Sequence, residues 1–200
     1  YMNEIFSKVS ARVSAIGYRA DLETALRTPG MAGYQLLSIQ DFPGQGTAHV
    51  GILDNFMEDK PGGFTKEQYK SFNDSVVILA QLPKLVLTND EMLTGTISIV
   101  NYGPTALAGI AGQWTLKNGD TILAKGSLNP MDVAQGGVTD IGTFHTSLAS
   151  VTDAAKLTLE VSAESIGSNS YDLWVYPNQL TPTVPSNVLV STNMDQATLE

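Results

Sequence analysis

The feature that most constrains the fold of this chain is a change of sequence pattern near residue 75. From there onward, short runs of alternating apolar residues are separated by turn signals such as Asn118-Gly119-Asp120. Regularly spaced short strands of this kind are typical of an antiparallel β-sandwich. The runs with β-type composition are 76–82, 85–87, 92–101, 107–116, 121–128, 139–148, 156–164 and 171–175.

Upstream of this change, residues 1–30 predict helix. Their apolar residues recur every three or four positions and form one stripe, which consists of Met2, Ile5, Phe6, Val9, Val13 and Ile16. Pro29 and Gly30 would end this helical region. Residues 33–40 then have the length and composition of a buried strand, and a loop rich in Gly and Pro follows. A short helix is predicted over 65–72, with Thr65 as its N-cap.

The composition places the chain among globular proteins, with 42% hydrophobic and 16% charged residues. Lys and Arg number 11 and Asp and Glu number 20, and the net charge of −9 disfavours nucleic acid and anionic membrane surfaces as partners. The absence of cysteine excludes disulfides, thiolate metal sites and cysteine nucleophiles. No apolar run approaches the ~18 residues that a membrane span needs.

Both ends of the sequence predict an internal piece of a longer protein. Tyr1 enters directly into a helical pattern. At the other end, residues 186–200 resemble the start of a further domain after the proline-rich stretch at 177–185.

Few residues suggest metal or nucleotide chemistry. His145 lies in an alternating run and fits a sheet face, whereas His49 follows the glycine-rich loop, where a structural role and a pocket role both stay open. The acidic residues within 54–59 lack the ligand order of a calcium loop, so a solvated surface is the default interpretation. Gly44-Gln45-Gly46 lacks the third glycine and the following helix of a dinucleotide loop. We therefore expect no metal and no cofactor.

The two tryptophans leave a binding function open. Trp114 and Trp174 both fall in β-type runs, where packing in the core is the default and a sugar-stacking platform is the alternative. Burial of both rings would exclude such a platform.

The end of the apolar run at 33–40 is the strongest functional candidate. Gln40 and Asp41 place polar groups where the predicted strand ends. In parallel α/β folds, ligands bind beyond the carboxyl ends of the strands. The sequence therefore suggests a ligand site at this position.

These residues resemble a segment of large bacterial proteins of glycoside hydrolase family 2. The resemblance rests on residues 18–30, on residues 50–54 and on the string Gly33-Tyr-Gln-Leu-Leu-Ser-Ile-Gln-Asp-Phe-Pro-Gly-Gln-Gly-Thr47. It continues through 82–84 and 87–91 to 171–177, and so it covers most of the chain.

The resemblance implies an α+β chain in two parts. Residues 1–75 would be the C-terminal portion of a (β/α)8 barrel, made mainly of helices with 33–40 as barrel strand eight. Residues 76–178 would form an all-β immunoglobulin-like sandwich. Residues 179–200 would be a linker and the start of a further domain.

The chemistry implied by the resemblance is retaining glycoside hydrolysis. Such enzymes use two carboxylates roughly 5 Å apart, one as acid/base and one as nucleophile. In this family both carboxylates lie on barrel strands that would precede Tyr1, so no catalytic residue transfers to this chain. What does transfer is the lining of a sugar pocket, which would consist of Gln40, Asp41 and Gln45.

The expected function is therefore that of an inactive fragment of a retaining exo-β-glycosidase. The resemblance implies a glycan substrate and a periplasmic or extracellular location for the parent protein. A carbohydrate-binding or adhesion module is the alternative, and a structural spacer is a third interpretation for residues 76–178. A barrel segment without its neighbours would expose apolar surface, through which two copies of the chain could form a homodimer.

Overall fold

A computed structural model describes residues 2–42, 44, 50–178 and 187–189 of the chain. The described part contains two helices and ten strands. They are α1 (Met2–Arg27), α2 (Lys66–Phe72), β1 (Val76–Gln81), β2 (Val86–Thr88), β3 (Met92–Asn101), β4 (Leu107–Ile110), β5 (Gly112–Asn118), β6 (Thr121–Ser127), β7 (Met131–Val133), β8 (Gly137–Ser147), β9 (Ala155–Ala163) and β10 (Gly167–Tyr176).

Two sheets form a β-sandwich. One sheet has three antiparallel strands in the order β1-β3-β8, and the other has five in the order β2-β10-β9-β5-β6. The chain changes sheets between β1 and β2, and β2 pairs with β10 in parallel while the other pairs of that sheet are antiparallel. Strands β4 and β7 form a separate short ribbon.

Alternation along each strand separates the core from the surface. In β9, Leu157, Leu159 and Val161 are fully buried, whereas the residues between them are partly exposed. Between the sheets, these side chains meet Ile97 and Ile99 of β3 in one hydrophobic cluster. Burial of each large aliphatic side chain stabilises the folded state by about 2 kcal/mol. This cluster is therefore the main source of stability in the sandwich.

A second hydrophobic cluster lies on the other face of the three-stranded sheet. There α1, α2 and the described residues between these helices form a layer, which we call the N-terminal layer, over the outward side chains of β1 and β3. The buried members of this cluster are Ala15, Leu22, Phe64, Phe72, Val77, Leu79 and Val100. The three-stranded sheet is therefore covered on both of its faces.

Helix α2 begins where the sequence predicts. Thr65 is its N-cap: the Thr65 hydroxyl accepts a hydrogen bond from the Gln68 N–H, and the Gln68 side chain accepts one from the Thr65 N–H. This capping box satisfies two backbone donors at the start of the helix. Phe72, the last helical residue, is fully buried and packs against Phe64 and Tyr69.

The prediction of a barrel portion is wrong. Within the described residues that precede Val76, no strand forms, and the only ladder contacts are isolated bridges from Leu53 to Gln40 and to Asp59. The run at 33–40, predicted as barrel strand eight, is instead irregular and largely exposed, with Leu37 at 88% exposure. A barrel strand needs hydrogen-bonded strands on both sides. The described residues supply none beside this run.

Helix α1 also differs from expectation. The apolar stripe of this helix is exposed along its length, and the buried residues of the helix are Ala15, Leu22 and Glu23. Gly17 does not interrupt the helix. The packing face thus combines the apolar side chains of Leu22 and Leu26 with Glu23, whose charge is paired within the protein.

The β-sandwich is confirmed, and the predicted runs correspond to strands with small shifts at their ends. The run at 107–116 divides into β4 and β5, and β7 has no counterpart among the predicted runs. The proposed division of the chain at 75/76, and the part at 179–200, stay predictions.

Candidate functional site

Asp41, a predicted site residue, is buried and held by internal contacts. Its Oδ1 accepts hydrogen bonds from the Gly51 N–H at 3.0 Å and from the Lys60 ammonium at 2.6 Å. The same ammonium donates to the Gly51 carbonyl at 2.7 Å. The Asp41–Lys60 pair therefore connects residue 41 to the segment that contains residues 51 and 60. A buried charge is stable only when it is paired in this way.

Close backbone contact explains why residue 51 is glycine. A Cβ atom there would lie 2.1 Å from the carbonyl carbon of Gln40, which leaves no space for a side chain. Gln40, the second predicted site residue, is half-buried and bridges in parallel to Leu53. Gln45 and His49 lie outside the described residues, so their predicted roles stay predictions.

The space beside the Asp41–Lys60 pair is small. A cavity of about 10 Å³ is enclosed by α1 and the loop, with Tyr18, Gly51 and Lys60 in its wall. Such a volume holds about one water molecule. It is far below the several hundred Å³ of a typical ligand pocket.

A second polar group joins α1 to the sandwich, and we call it the clamp. Its members are Arg19, Glu23, Arg27, Asn169 and Tyr171. Glu23, only 4% exposed, accepts hydrogen bonds from Arg19 at 2.7 Å and from Arg27 at 2.9 Å. The Arg19 guanidinium also donates to Asn169 at 2.7 Å and lies 4.5 Å from the centre of the Tyr171 ring.

The clamp also completes the open edge of β1. The Tyr171 hydroxyl accepts the Ala80 N–H at 2.9 Å and donates to Glu23 at 3.2 Å, while the Asn169 amide donates to the Ile78 carbonyl. Burial, and next the Glu23 carboxylate, raise the pKa of Tyr171 well above its ordinary value, so the phenol stays neutral and donates. Every hydrogen bond of Glu23 is internal, which fits a structural role better than acid–base chemistry.

Sequence reasoning missed the clamp as a unit, although part of it was visible. Arg19, Glu23 and Arg27 are spaced four residues apart and so share one helix face. Asn169 and Tyr171 are two residues apart in a strand and so point the same way. That the two sets meet depends on a contact across about 150 residues, which neither local pattern contains.

An open cleft of about 270 Å³ lies between the end of α1 and the turn after β3. Tyr34 and Tyr102 line it together with Met31 and Leu26. Both phenol groups already make internal bonds, from Tyr34 to Asn73 at 2.6 Å and from Tyr102 to the Met31 carbonyl at 3.4 Å. Burial raises the pKa of the neighbouring Tyr69 to about 12, and Tyr34 adds to this rise.

The two tryptophans differ in environment. Trp114 is buried between the sheets, 9% exposed, with its ring centre 5.0 Å from that of Phe144. Trp174 is only partly buried and lies on the opposite side of its sheet, away from the core. The condition that would exclude a sugar platform, burial of both rings, is therefore not met.

The remaining candidates show no site geometry. His145 is exposed in β8 opposite Thr94, as a sheet-face residue. Asp54 accepts the N–H groups of Phe56 and Glu58 and so organises a tight turn. Among the described residues, no cluster of three or more His, Asp and Glu could hold a metal ion. Neither of the two described helices has the length and hydropathy needed to cross a membrane.

Comparison with known families gives a match for part of the chain. Residues 91–177 match a family described as a domain of unknown function (DUF8488). No curated protein matches the sequence.

Solved structures of similar fold include a glycosidase. The Amycolatopsis orientalis exo-chitosanase CsxA, in complex with PNP-β-D-glucosamine, matches with a TM-score of 0.57 and 14% identity over 84% of this chain and 19% of that chain. A structure from an inhibition study of the exo-β-D-glucosaminidase CsxA matches with a TM-score of 0.58 and 14% identity over the same shares. The chain thus spans about a fifth of the length of CsxA.

The extent of this likeness is informative about the fold. The sandwich at 76–178 is about half of the chain, so a likeness over 84% includes much of the N-terminal layer. At 14% identity the likeness shows a shared fold and nothing about activity.

Proposed function

We propose that this chain is a non-catalytic part of a glycoside hydrolase-related protein, in which the N-terminal layer and the sandwich form one structural support. The observation that carries the proposal is the fold likeness to CsxA, which extends over both parts. The order of strands supports the finer description of the sandwich as immunoglobulin-like, because two antiparallel-rich sheets pack face to face and the chain passes from one sheet at β1 to the other at β2.

The internal contacts of the carboxylates support the absence of catalysis. Asp41 and Glu23, the most buried acids, are engaged by Lys60 and by two arginines. Retaining hydrolysis needs two carboxylates facing an open sugar site. The 10 Å³ cavity beside Asp41 offers no such space.

Turnover assays test this proposal directly. The purified chain is incubated with p-nitrophenyl β-glucosaminide, β-glucoside and β-galactoside, and we expect no release of nitrophenol above the buffer rate. Asp41→Asn and Glu23→Gln variants are assayed in parallel. Turnover that either substitution abolishes would overturn the proposal, because it would place a catalytic carboxylate in this chain.

The finer proposal is that the parent is a retaining exo-β-glycosidase in the periplasm or outside the cell, acting on glycans. It rests on the sequence resemblance, with Gln40, Asp41 and Gln45 near its sugar site. Sequencing the complete gene tests it, since the parent must then contain two glutamates in glycosidase motifs and an export signal.

Association of two copies is a further part of the proposal. The exposed apolar side chains on α1 would form the contact, and they are Met2, Ile5, Phe6, Val9, Val13 and Ile16. Sedimentation equilibrium tests it: a species of twice 21.3 kDa that Val9→Glu converts to the single mass is expected. A single mass at all concentrations would exclude the homodimer.

Glycan binding by the sandwich is the second candidate function, and a specific observation favours it. Trp174 lies partly exposed on the outer face of the five-stranded sheet. The side chains around Trp174 form a surface whose chemistry indicates the class of ligand that would bind there.

A further inference from the structure

We infer that the outer face of the five-stranded sheet carries a glycan-binding surface, formed by Trp174 and Tyr176 and flanked by Lys156, Asp172 and Thr88. This inference rests on the second candidate function above, glycan binding by the sandwich, and it adds the residues and the class of ligand.

Strand alternation places these side chains together. Leu173 and Val175 of β10 are fully buried in the core, so Asp172, Trp174 and Tyr176 point to the outer face. Trp174 is paired with Val86 of β2 on one side and with Lys156 of β9 on the other, and Tyr176 is paired with Thr88. Residues two apart in a strand are separated by roughly 7 Å, so the two aromatic rings lie in series along the strand.

The polar atoms of both aromatic residues are available to a ligand. Within the described part of the chain, neither the Trp174 indole N–H nor the Tyr176 hydroxyl has a hydrogen-bond partner. This differs from Tyr34 and Tyr102, whose hydroxyls are engaged in internal bonds. A tryptophan and a tyrosine of this kind offer an apolar ring face together with a free donor.

The surroundings decide between classes of ligand. Val86, 55% exposed beside Trp174, is an apolar member of this outer face, and Ile122 is another at its far edge. Between them the face is polar or charged, with Thr158, Glu160 and Lys117 next along the sheet. A protein partner usually needs an interface of about 1,000 Å² with an apolar centre, which two rings and one valine bordered by charged side chains do not supply. The acidic chain disfavours nucleic acid.

A sugar fits this surface better. A pyranose has an apolar C–H face that stacks on an aromatic ring and hydroxyls that pair with neighbouring polar groups. Asp172 forms an ion pair with Lys156 at 2.8 Å and lies 3.6 Å from Arg12, so the polar border carries two positive charges and one negative charge. The net positive charge of this border repels a cationic glycan, so an uncharged glycan fits better.

The test measures binding to the full chain by isothermal titration calorimetry, with cellohexaose as the probe. We expect saturable binding, weakened at least tenfold by Trp174→Ala and by only about two- to fivefold by Trp174→Phe, which keeps a ring but removes the N–H. Tyr176→Ala should weaken binding at least threefold. The matched control is Phe56→Ala, which removes an aromatic side chain that is 82% exposed on the N-terminal layer, and it should leave binding unchanged.

Circular dichroism of each variant confirms that the fold is retained. The inference is overturned if cellohexaose does not bind at millimolar concentration, if Trp174→Ala binds as the parent chain does, or if Phe56→Ala has the same effect. Tighter binding of a glucosamine hexamer than of cellohexaose would overturn the choice of an uncharged ligand. Nitrophenol release is scored in a separate assay, so failure of binding and failure of the non-catalytic proposal remain distinguishable.

Discussion

The sandwich and the N-terminal layer are held together by different kinds of contact. In the sandwich, backbone ladders between long strands set the register, and alternating side chains fill the space between the sheets. In the N-terminal layer, the described residues from 28 to 64 contain only isolated bridges, and side chains such as Asp41, Lys60 and Tyr18 bond to the backbone. Regular ladders tolerate substitution at many positions, whereas such side-chain contacts depend on single residues.

The substitution Phe72→Ala should cause the largest loss of stability, and it tests whether the N-terminal layer and the sandwich unfold together. Phe72, the last residue of α2, is fully buried between the N-terminal layer and the three-stranded sheet, and loss of a buried phenylalanine typically costs about 3–5 kcal/mol. Chemical denaturation followed by far-UV circular dichroism and by tryptophan fluorescence measures the effect. If the two parts unfold as one unit, both signals shift together. Separate transitions would show that the sandwich is stable without its outer layer.

The clamp gives the next largest effect. Glu23→Gln removes the charge between Arg19 and Arg27, and we expect a loss of about 2–3 kcal/mol because the remaining cations are partly buried. Asp74→Asn is the matched control, since Lys70 and Asp74 form an exposed ion pair with the same spacing. That control should change the free energy of unfolding by less than about 0.5 kcal/mol. Equal effects of the two substitutions would contradict a structural role for the clamp.

Two glycines sharpen the comparison within the N-terminal layer. Gly51→Ala places a methyl group against the backbone of Gln40 and should cost about 1–3 kcal/mol. Gly17→Ala faces open space in α1 and should instead stabilise the chain by about 0.5–1 kcal/mol, because alanine favours helix. Thermal unfolding of both variants checks these signs. A neutral Gly51→Ala would mean that residues 40 and 51 separate easily.

The smallest expected effect is a dependence on alkaline pH. The pKa of Tyr69 is raised to about 12, while a tyrosine in the unfolded chain ionises near pH 10. The unfolded chain therefore loses this proton first, and stability present below pH 10 declines as the pH rises towards 12. Urea midpoints measured from pH 9 to 11.5 should fall less steeply for Tyr69→Phe than for the parent chain. Parallel slopes would rule out Tyr69 as a source of the decline.

The same contrast explains how much of the structure could be predicted from the sequence. The strands of the sandwich follow from alternation in runs such as 155–163, because each side of a strand has one environment. The capped start of α2 follows from Thr65 and Gln68 for a similarly local reason. In both cases, the residues that determine the element lie within a few positions of one another in the sequence.

The N-terminal layer could not be predicted in this way. The apolar run at 33–40 resembles a buried strand, but burial requires a neighbour, and Leu37 has none in the described structure. The stripe on α1 suggested the packing face, whereas the buried face is the one that includes Glu23. Its position depends on Asn169 and Tyr171, far away in sequence. Among the predicted site residues, Asp41 is held by contacts with Gly51 and Lys60. The spacing of these three residues in the sequence does not indicate that they meet.

The bonds that the clamp makes to β1 have a consequence for solubility. β1 contains the uncharged run Val76–Gln81, rich in β-branched residues, and it has a ladder partner on one side alone. Exposed edges of such composition readily recruit strands from other molecules and lead to amyloid-like aggregation. The Tyr171 hydroxyl and the Asn169 amide already engage the Ala80 N–H and the Ile78 carbonyl on that side. Two side chains from the opposite sheet thus protect this edge against pairing with another chain.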